Sequence, residues 1–319
     1  MLDYEAISKD FLRLLRGPRS QVAFSRRLRY QSNVSYTWES GRRWPTASTT
    51  LWAATRVGID IPALFRLYLR AEPDWLGEEL DFEQLVPAFL NHLRGRTPIG
   101  VLASRTGKSR FAVSRWLKGQ TEPRLPDFFR MIECSSFRLL DFLRLFGDLE
   151  ALPSVRAAWL KLEKGRRLYF EQPWSQAVLL ALELEEYIQL PKHSDDWLAT
   201  RLGISLDVVQ ECVQALVDTG QIRRKKKHYT IGEIMAVDMQ SYAKDIAGLK
   251  QWWAQTAIEA HTQGAEGLFS YNVFTVSEED FERLQELHRS TFRAMRTIIS
   301  ESMPGERLVL AHLSMQALD

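Results

Sequence analysis

Arg223, Arg224, Lys225, Lys226 and Lys227 are five consecutive bases in a chain of 319 residues. Such a run suits the phosphates of a nucleic acid; it suits the solvated tip of a hairpin equally well. Catalytic spacing is missing elsewhere. The six histidines, His92, His193, His228, His261, His288 and His312, show no HxxH or HExxH pattern. No glycine-rich phosphate loop or GxSxG elbow occurs, and Cys134 and Cys212 stand 78 residues apart without a CxxC partner. Glu278-Glu279-Asp280 follow Ser277 and read as the acidic first turn of a helix rather than as an acid/base pair. The residue types therefore point to a binding protein, not an enzyme, with no metal and no cofactor.

The elements that position these groups fall into charge blocks. Residues 1–70 hold 12 Lys and Arg against 5 Asp and Glu, and residues 84–147 hold 11 against 4, a net +7 in each. Between them, 71–83 (AEPDWLGEELDFE) carries six acids and no base, and 148–319 holds 19 bases against 25 acids. Two basic modules split by an acidic linker suit a polyanion. Hydrophobic residues make up 45% and charged residues 26%, the balance of a soluble globular protein. No stretch approaches the roughly 18 apolar residues of a membrane span. The start, MLDYEAISKDFLRLLRG, lacks a secretory pattern. The expected location is the cytoplasm, with no membrane partner.

An internal repeat lies at an offset of 78. FLRLLRG at 11–17 recurs as FLNHLRG at 89–95, and Trp38, Gly41 and Pro45 recur as Trp116, Gly119 and Pro123. Each copy reads as five short helices: about 4–15, 20–28, 32–40, 47–57 and 61–69, then 82–94, 98–105, 109–118, 125–134 and 137–146. Gly17-Pro18 stops the first helix, Ser20 caps the second, and Gly41 with Pro45 closes the third. Trp38 and Trp116, at matching positions of the third helix, are expected in the core.

SQVAFSRRLRYQSNVSYTWESGRRWPT (20–46) resembles the helix-turn-helix of the λ repressor/Cro (XRE) family. The family opens its second helix with Gln (here Gln21), continues with a Leu-Ala pair (here Phe24-Ser25), and ends the third helix with an apolar-Glu-x-Gly (here Trp38-Glu39-Ser40-Gly41). Arg29 stands at the usual turn Gly and Ser35 at a usually apolar site. The second copy has that Gly (Gly107) and an apolar residue (Val113), but Ile99 replaces the Gln and Leu117 the Glu. The resemblance implies that Gln31, Ser32, Asn33, Tyr36 and Thr37 read bases, with Gln21, Arg42 and Arg43 on phosphates. The matching set in copy two is Lys108, Ser109, Arg110, Ser114, Arg115 and Lys118. That copy serves either as a second reader or as a packing or dimerisation unit.

From Pro173 the pattern changes. Residues 148–172 read as a linker with one helix, WSQAVLLALELEEYIQL as another, and Ser194 and Ser205 cap helices over 195–202 and from 206 on. Thr219-Gly220 ends the second, and Gln221–Ile231 has room for two strands around the five bases. This outline, with LATRLGIS and ALVDTGQI, resembles the winged helices of bacterial regulators. Its longer helix carries Asp207, Glu211 and Asp218 and no base, a poor match to a DNA groove. Residues 237–319 read as two helix-strand units: a helix 239–262 with Tyr242, Ile246, Leu249 and Trp253 on one face, a strand 268–277, a helix 278–300 and a last strand in LVLAHLSMQAL. The span 150–319 resembles a bacterial regulator family whose C-terminal domain has no assigned function.

The expected fold is mainly α: two tandem five-helix helix-turn-helix units (1–70 and 84–147), the acidic linker 71–83, a linker helix in 148–172, a winged helix (173–236) and a small α+β regulatory or dimerisation domain (237–319). The expected function is a bacterial or phage transcription regulator that binds double-stranded DNA through tandem helix-turn-helix units. A homodimer, and a further ligand or protein partner, complete the expected partners; Trp252, Trp253, Tyr271 and Phe274 are candidates for lining a ligand pocket. The alternative is a non-enzymatic protein-interaction scaffold or antitoxin-like partner without a specific DNA site.

Overall fold

Asp3 opens the first helix: its carboxylate accepts from the amides of Glu5 and Ala6 at 3.1 and 3.0 Å, so two amides at the helix start gain a partner. The computed structural model describes residues 2–69, 72–76, 81–232 and 243–318. The chain divides into two units, Met1–Leu160 and Lys161–Asp319. It is mainly α, with one two-stranded hairpin among the described residues.

The first copy of the repeat gives α1 (Tyr4–Arg16), α2 (Gln21–Arg27), α3 (Val34–Glu39), α4 (Ala47–Arg56) and α5 (Ile61–Leu69). The second gives α6 (Phe82–Arg94), α7 (Ile99–Thr106), α8 (Arg110–Leu117), α9 (Leu125–Ser136) and α10 (Leu139–Arg144), then a single 3₁₀ turn and α11 (Pro153–Glu171). All ten repeat helices lie where the spacing predicts, with ends shifted by a few residues at most. Of the acidic linker, residues 71 and 77–80 lie outside the described residues; within it Leu76 is buried and Trp75 meets the rings of Phe65 and His92 edge-on.

The copies pack reciprocally. Helix α1 lies against α9, and α6 lies against α4, which is the same contact with the copies exchanged. Between them Thr46 bridges Arg124 antiparallel, Ala47 N–H donates to Pro123 O at 3.0 Å, and Leu125 N–H donates to Pro45 O at 3.0 Å. Thr46 and Arg124 are equivalent residues of the repeat, and exchanging the copies turns the Ala47–Pro123 bond into the Leu125–Pro45 bond, so a local twofold axis relates the copies at this point. The core on this axis is aromatic. Phe11 meets Phe129 edge-on at 5.1 Å, and Phe65 stacks on Phe89 at 4.4 Å.

In the second unit α12 (Trp174–Ala181), α13 (Glu185–Ile188), α14 (Asp195–Leu202) and α15 (Leu206–Asp218) precede β1 (Ile222–Lys225) and β2 (His228–Ile231). Their core gathers Val178, Leu198, Val209, Leu216 and Ile222. The single helix expected over 174–190 is two. Leu184 leaves the helical region (ψ 137°) to bridge Gly305, whose carbonyl accepts from Glu185 N–H at 2.8 Å. Then come α16 (Ala243–Thr262) and α17 (Glu278–Glu301), the latter capped by Ser277 as expected. The first residues of the expected helix 239–262, Tyr242 included, lie outside the described residues. The two strands expected at 268–277 and 308–318 are a correction: neither joins a ladder. Tyr271 and Val273 are 94% and 78% exposed, so alternation there finds neither a pairing strand nor a face to cover.

Candidate nucleic-acid interface

In copy one the turn between α2 and α3 is built around a residue that favours glycine elsewhere. Arg29 has φ 59°, matching Gly107 (φ 63°) in copy two, so the geometry of the turn persists without its glycine. Phe24, Leu28 and Trp38 lie beneath it in the core, as expected for Trp38. Glu39, only 5% exposed as a side chain, is held from three sides. Arg16 Nε donates to its Oε1 at 2.7 Å, Ser35 Oγ donates to the same oxygen at 2.7 Å, and Gln21 Nε2 donates to Oε2 at 3.0 Å. Burial pushes this carboxyl up, but the hydrogen bonds from Arg16, Gln21 and Ser35, with the Arg16 charge, outweigh it and hold the pKa below the usual value.

This network places several expected DNA-facing residues. Gln21 is committed to Glu39. Gln31, Ser32, Arg42 and Arg43 are exposed, and Tyr36 is exposed with the Arg42 guanidinium 5.3 Å from its ring centre. Asn33 is the N-cap of α3; its side-chain oxygen accepts from Tyr36 N–H at 3.2 Å and from Ser25 Oγ at 3.3 Å. Thr37 is half-buried, and its hydroxyl donates back to Val34 O at 2.7 Å. Gln31, Ser32, Tyr36, Arg42 and Arg43 are thus exposed with side chains outside this hydrogen-bonded set, while Gln21, Asn33 (exposed as well) and Thr37 hold the fold of the motif.

In copy two Ser109 caps α8 by accepting from Ala112 N–H at 3.2 Å, two residues earlier in the repeat than Asn33, so α8 is a longer helix than α3. Arg110, Arg115 and Lys118 are exposed and Ser114 is half-buried. Lys108 instead pairs with Asp127 at 2.7 Å. Val113, Trp116 and Leu117 form the buried face. Phe111 is absent from the residues expected to meet a nucleic acid, yet it is 85% exposed. Its spacing marks it: Phe111, Ser114, Arg115 and Lys118 stand at i, i+3, i+4 and i+7, one face of a helix.

In the second unit the hairpin pairs Ile222 with Ile231 and Lys225 with His228, and Lys226 turns the chain at φ 57°. Arg223, Arg224, Lys225, Lys226 and Lys227 are all exposed. The hairpin is tied to the helices by polar contacts. His193 N–H donates to Lys227 O at 2.8 Å, His228 Nε2 bonds Leu190 O at 2.9 Å, and Tyr229 N–H donates to Tyr187 Oη at 3.0 Å. Tyr187 Oη also meets His193 Nδ1 at 3.0 Å, and His193 Nε2 lies 2.7 Å from Asp195. Burial raises the Tyr187 pKa, so the hydroxyl keeps its proton for this network. On α15, Asp207, Glu211 and Asp218 are exposed, and the helix has no base. The cysteines are buried; burial raises the Cys134 thiol and pushes Cys212 up to about 11, which makes both inert. Trp252 and Trp253 pack edge-on against Trp174 at 5.2 and 5.7 Å, whereas Tyr271 and Phe274 lie in the exposed stretch after α16. Among the described residues no group of His, Cys, Asp and Glu is arranged to hold a metal, and no helix is long and apolar enough to cross a membrane.

Residues 155–319 match the family described as Domain of unknown function (DUF4423). The chain belongs to this family. The DUF4423 match begins within α11 and covers α12–α15, the basic hairpin and everything after it, close to the span 150–319 expected from the sequence. No helix-turn-helix family is identified for the tandem units that precede it. No curated protein and no solved structure matches the chain.

Proposed function

We propose that this DUF4423 protein is a non-enzymatic, sequence-specific DNA-binding transcription regulator. The observation that carries the reading is the pairing, about a local twofold axis, of two helix-turn-helix units that keep polar and cationic side chains exposed on and around their third helices. One chain would then present two heads, as a dimer of single-headed repressors does, to half-sites about one DNA turn (~34 Å) apart. Gln31 and Ser32, just before α3, and Tyr36 on α3 read bases, as do Arg110, Ser114 and Arg115 on α8. Arg42, Arg43, Lys118 and the hairpin cations Arg223–Lys227 hold phosphates. The second unit dimerises or receives a signal; the uncharged, exposed segment 268–276 supports a role in meeting a protein partner.

Selection from a random duplex library by the purified full chain at about 150 mM salt tests this. An enriched motif with two differing halves is expected, because the two heads carry different residues. Binding that rests on about six phosphate contacts should weaken roughly 10³-fold between 50 and 200 mM salt. No enrichment by protein shown to be folded would sink the reading in favour of a protein-interaction scaffold.

A further inference from the structure

Phe111 is the most exposed large apolar side chain among the described residues of Met1–Leu160. Leaving a phenylalanine in water forgoes a large part of what its burial would contribute, and nothing in its own unit covers it. Its position follows from the helix period: Val113, Trp116 and Leu117 take the core, which turns Phe111, Arg115 and Lys118 outward together. The neighbouring cations Arg110, Arg115 and Lys118 have no ion-pair partner among the described residues, in contrast to Lys108, which has Asp127. No second apolar side chain shares that face of α8; its other members are Ser114, Arg115 and Lys118.

A single exposed ring among unpaired cations is a poor protein-docking patch, which needs several apolar neighbours. It fits a polyanion that offers one small apolar group at a time. Duplex DNA does so in its major groove, where thymine alone presents a methyl. We propose that Phe111 is a specificity-determining residue that packs on the C5-methyl of one thymine, and so gives the second unit a half-site of its own. Copy one cannot make this contact, because Asn33 stands at the equivalent position and caps α3. This inference rests on the reading of the protein as a DNA-binding regulator.

The experiment runs the duplex selection with the full-length wild-type chain and with Phe111→Ala, which removes an exposed side chain; equal thermal melting of the two confirms that both are folded. Binding of the selected site is then measured with each thymine replaced in turn by deoxyuridine, which deletes only the methyl. Expected is one position at which deoxyuridine weakens wild-type binding about 4-fold, the equivalent of ~0.8 kcal/mol for one buried methyl group. Phe111→Ala should lose its preference at that position alone and be indifferent to deoxyuridine there. A shared motif with the same deoxyuridine penalty in both proteins would overturn the role of Phe111 while leaving the regulator reading intact. No motif from either protein would overturn both.

Discussion

Replacing Arg16 by Leu should destabilise the first unit through Glu39 rather than through Arg16 itself. The wild-type pair is close to bidentate, with Arg16 Nε at 2.7 Å from Oε1 and Nη2 at 3.3 Å from Oε2, and the two side chains are 22% and 5% exposed. Removing one partner of a buried pair typically costs about 3–5 kcal/mol, because the survivor is left charged and dry. Gln21 and Ser35 continue to donate, and Arg16 is partly hydrated, so the expected loss is nearer ~2–3 kcal/mol. For a unit of this size that is a fall of roughly 5–10 °C in Tm, readable by circular dichroism of the full chain. The pH dependence has a definite sign. In the wild type the Glu39 pKa is lowered, so its stabilisation is present above the unfolded carboxyl value and fades as pH falls through the folded one. In Arg16→Leu the Arg16 hydrogen bonds and charge are lost, so that pKa lies above its wild-type value and acidification costs the variant less than the wild type. The gap should therefore narrow between pH 7 and about pH 4. Adding Glu39→Leu together with Gln21→Ile and Ser35→Val should recover most of the loss, since copy two has Ile99, Val113 and Leu117 at those positions. A Tm change under about 1 °C at pH 7, or a gap that widens on acidification, would refute the reasoning.

Two further stability predictions follow from the backbone and from the hairpin. Arg29→Gly should raise stability by about 0.5–1 kcal/mol, since relief of the left-handed conformation (~1–2 kcal/mol) exceeds the added freedom of the unfolded chain; a lower denaturation midpoint would count against it. Tyr187→Phe leaves Tyr229 N–H and His193 Nδ1 without their hydroxyl partner, at a cost of about 1–3 kcal/mol. Trypsin should then cut the Arg223–Lys227 hairpin faster than in the wild type, and an unchanged cleavage rate would contradict the anchoring role of that hydroxyl.

The helices were legible because their signals are local. Gly17, Ser20, Gly107, Ser109 and Ser205 mark helix ends by cap geometry and left-handed turns, each set by residues within one turn of chain. The strands at 268–277 and 308–318 were misread because alternation reports only which side chains could share a face, and pairing is a property of distant segments. The break after α12 was hidden for the same reason: it depends on Gly305, more than a hundred residues away in sequence. Among the site residues, exposure followed from helical spacing for Arg110, Arg115 and Lys118. The commitments of Gln21 to Glu39 and of Lys108 to Asp127 did not, because each is a tertiary contact.

The departures of the two copies from the helix-turn-helix pattern are one coupled exchange rather than independent decay. In copy one Gln21, Ser35 and Glu39 form a single hydrogen-bonded set. At the same three positions copy two has Ile99, Val113 and Leu117, of which Val113 and Leu117 are buried. Any one apolar replacement in copy one would strand a buried polar partner, whereas all three together make a consistent apolar interior. Ser35 at an apolar site and Leu117 at a Glu site are then two sides of the same constraint. Copy two is thus a fully packed unit with its own outward face, and its exposed Arg110, Phe111, Arg115 and Lys118 are free to take a role that its core does not dictate.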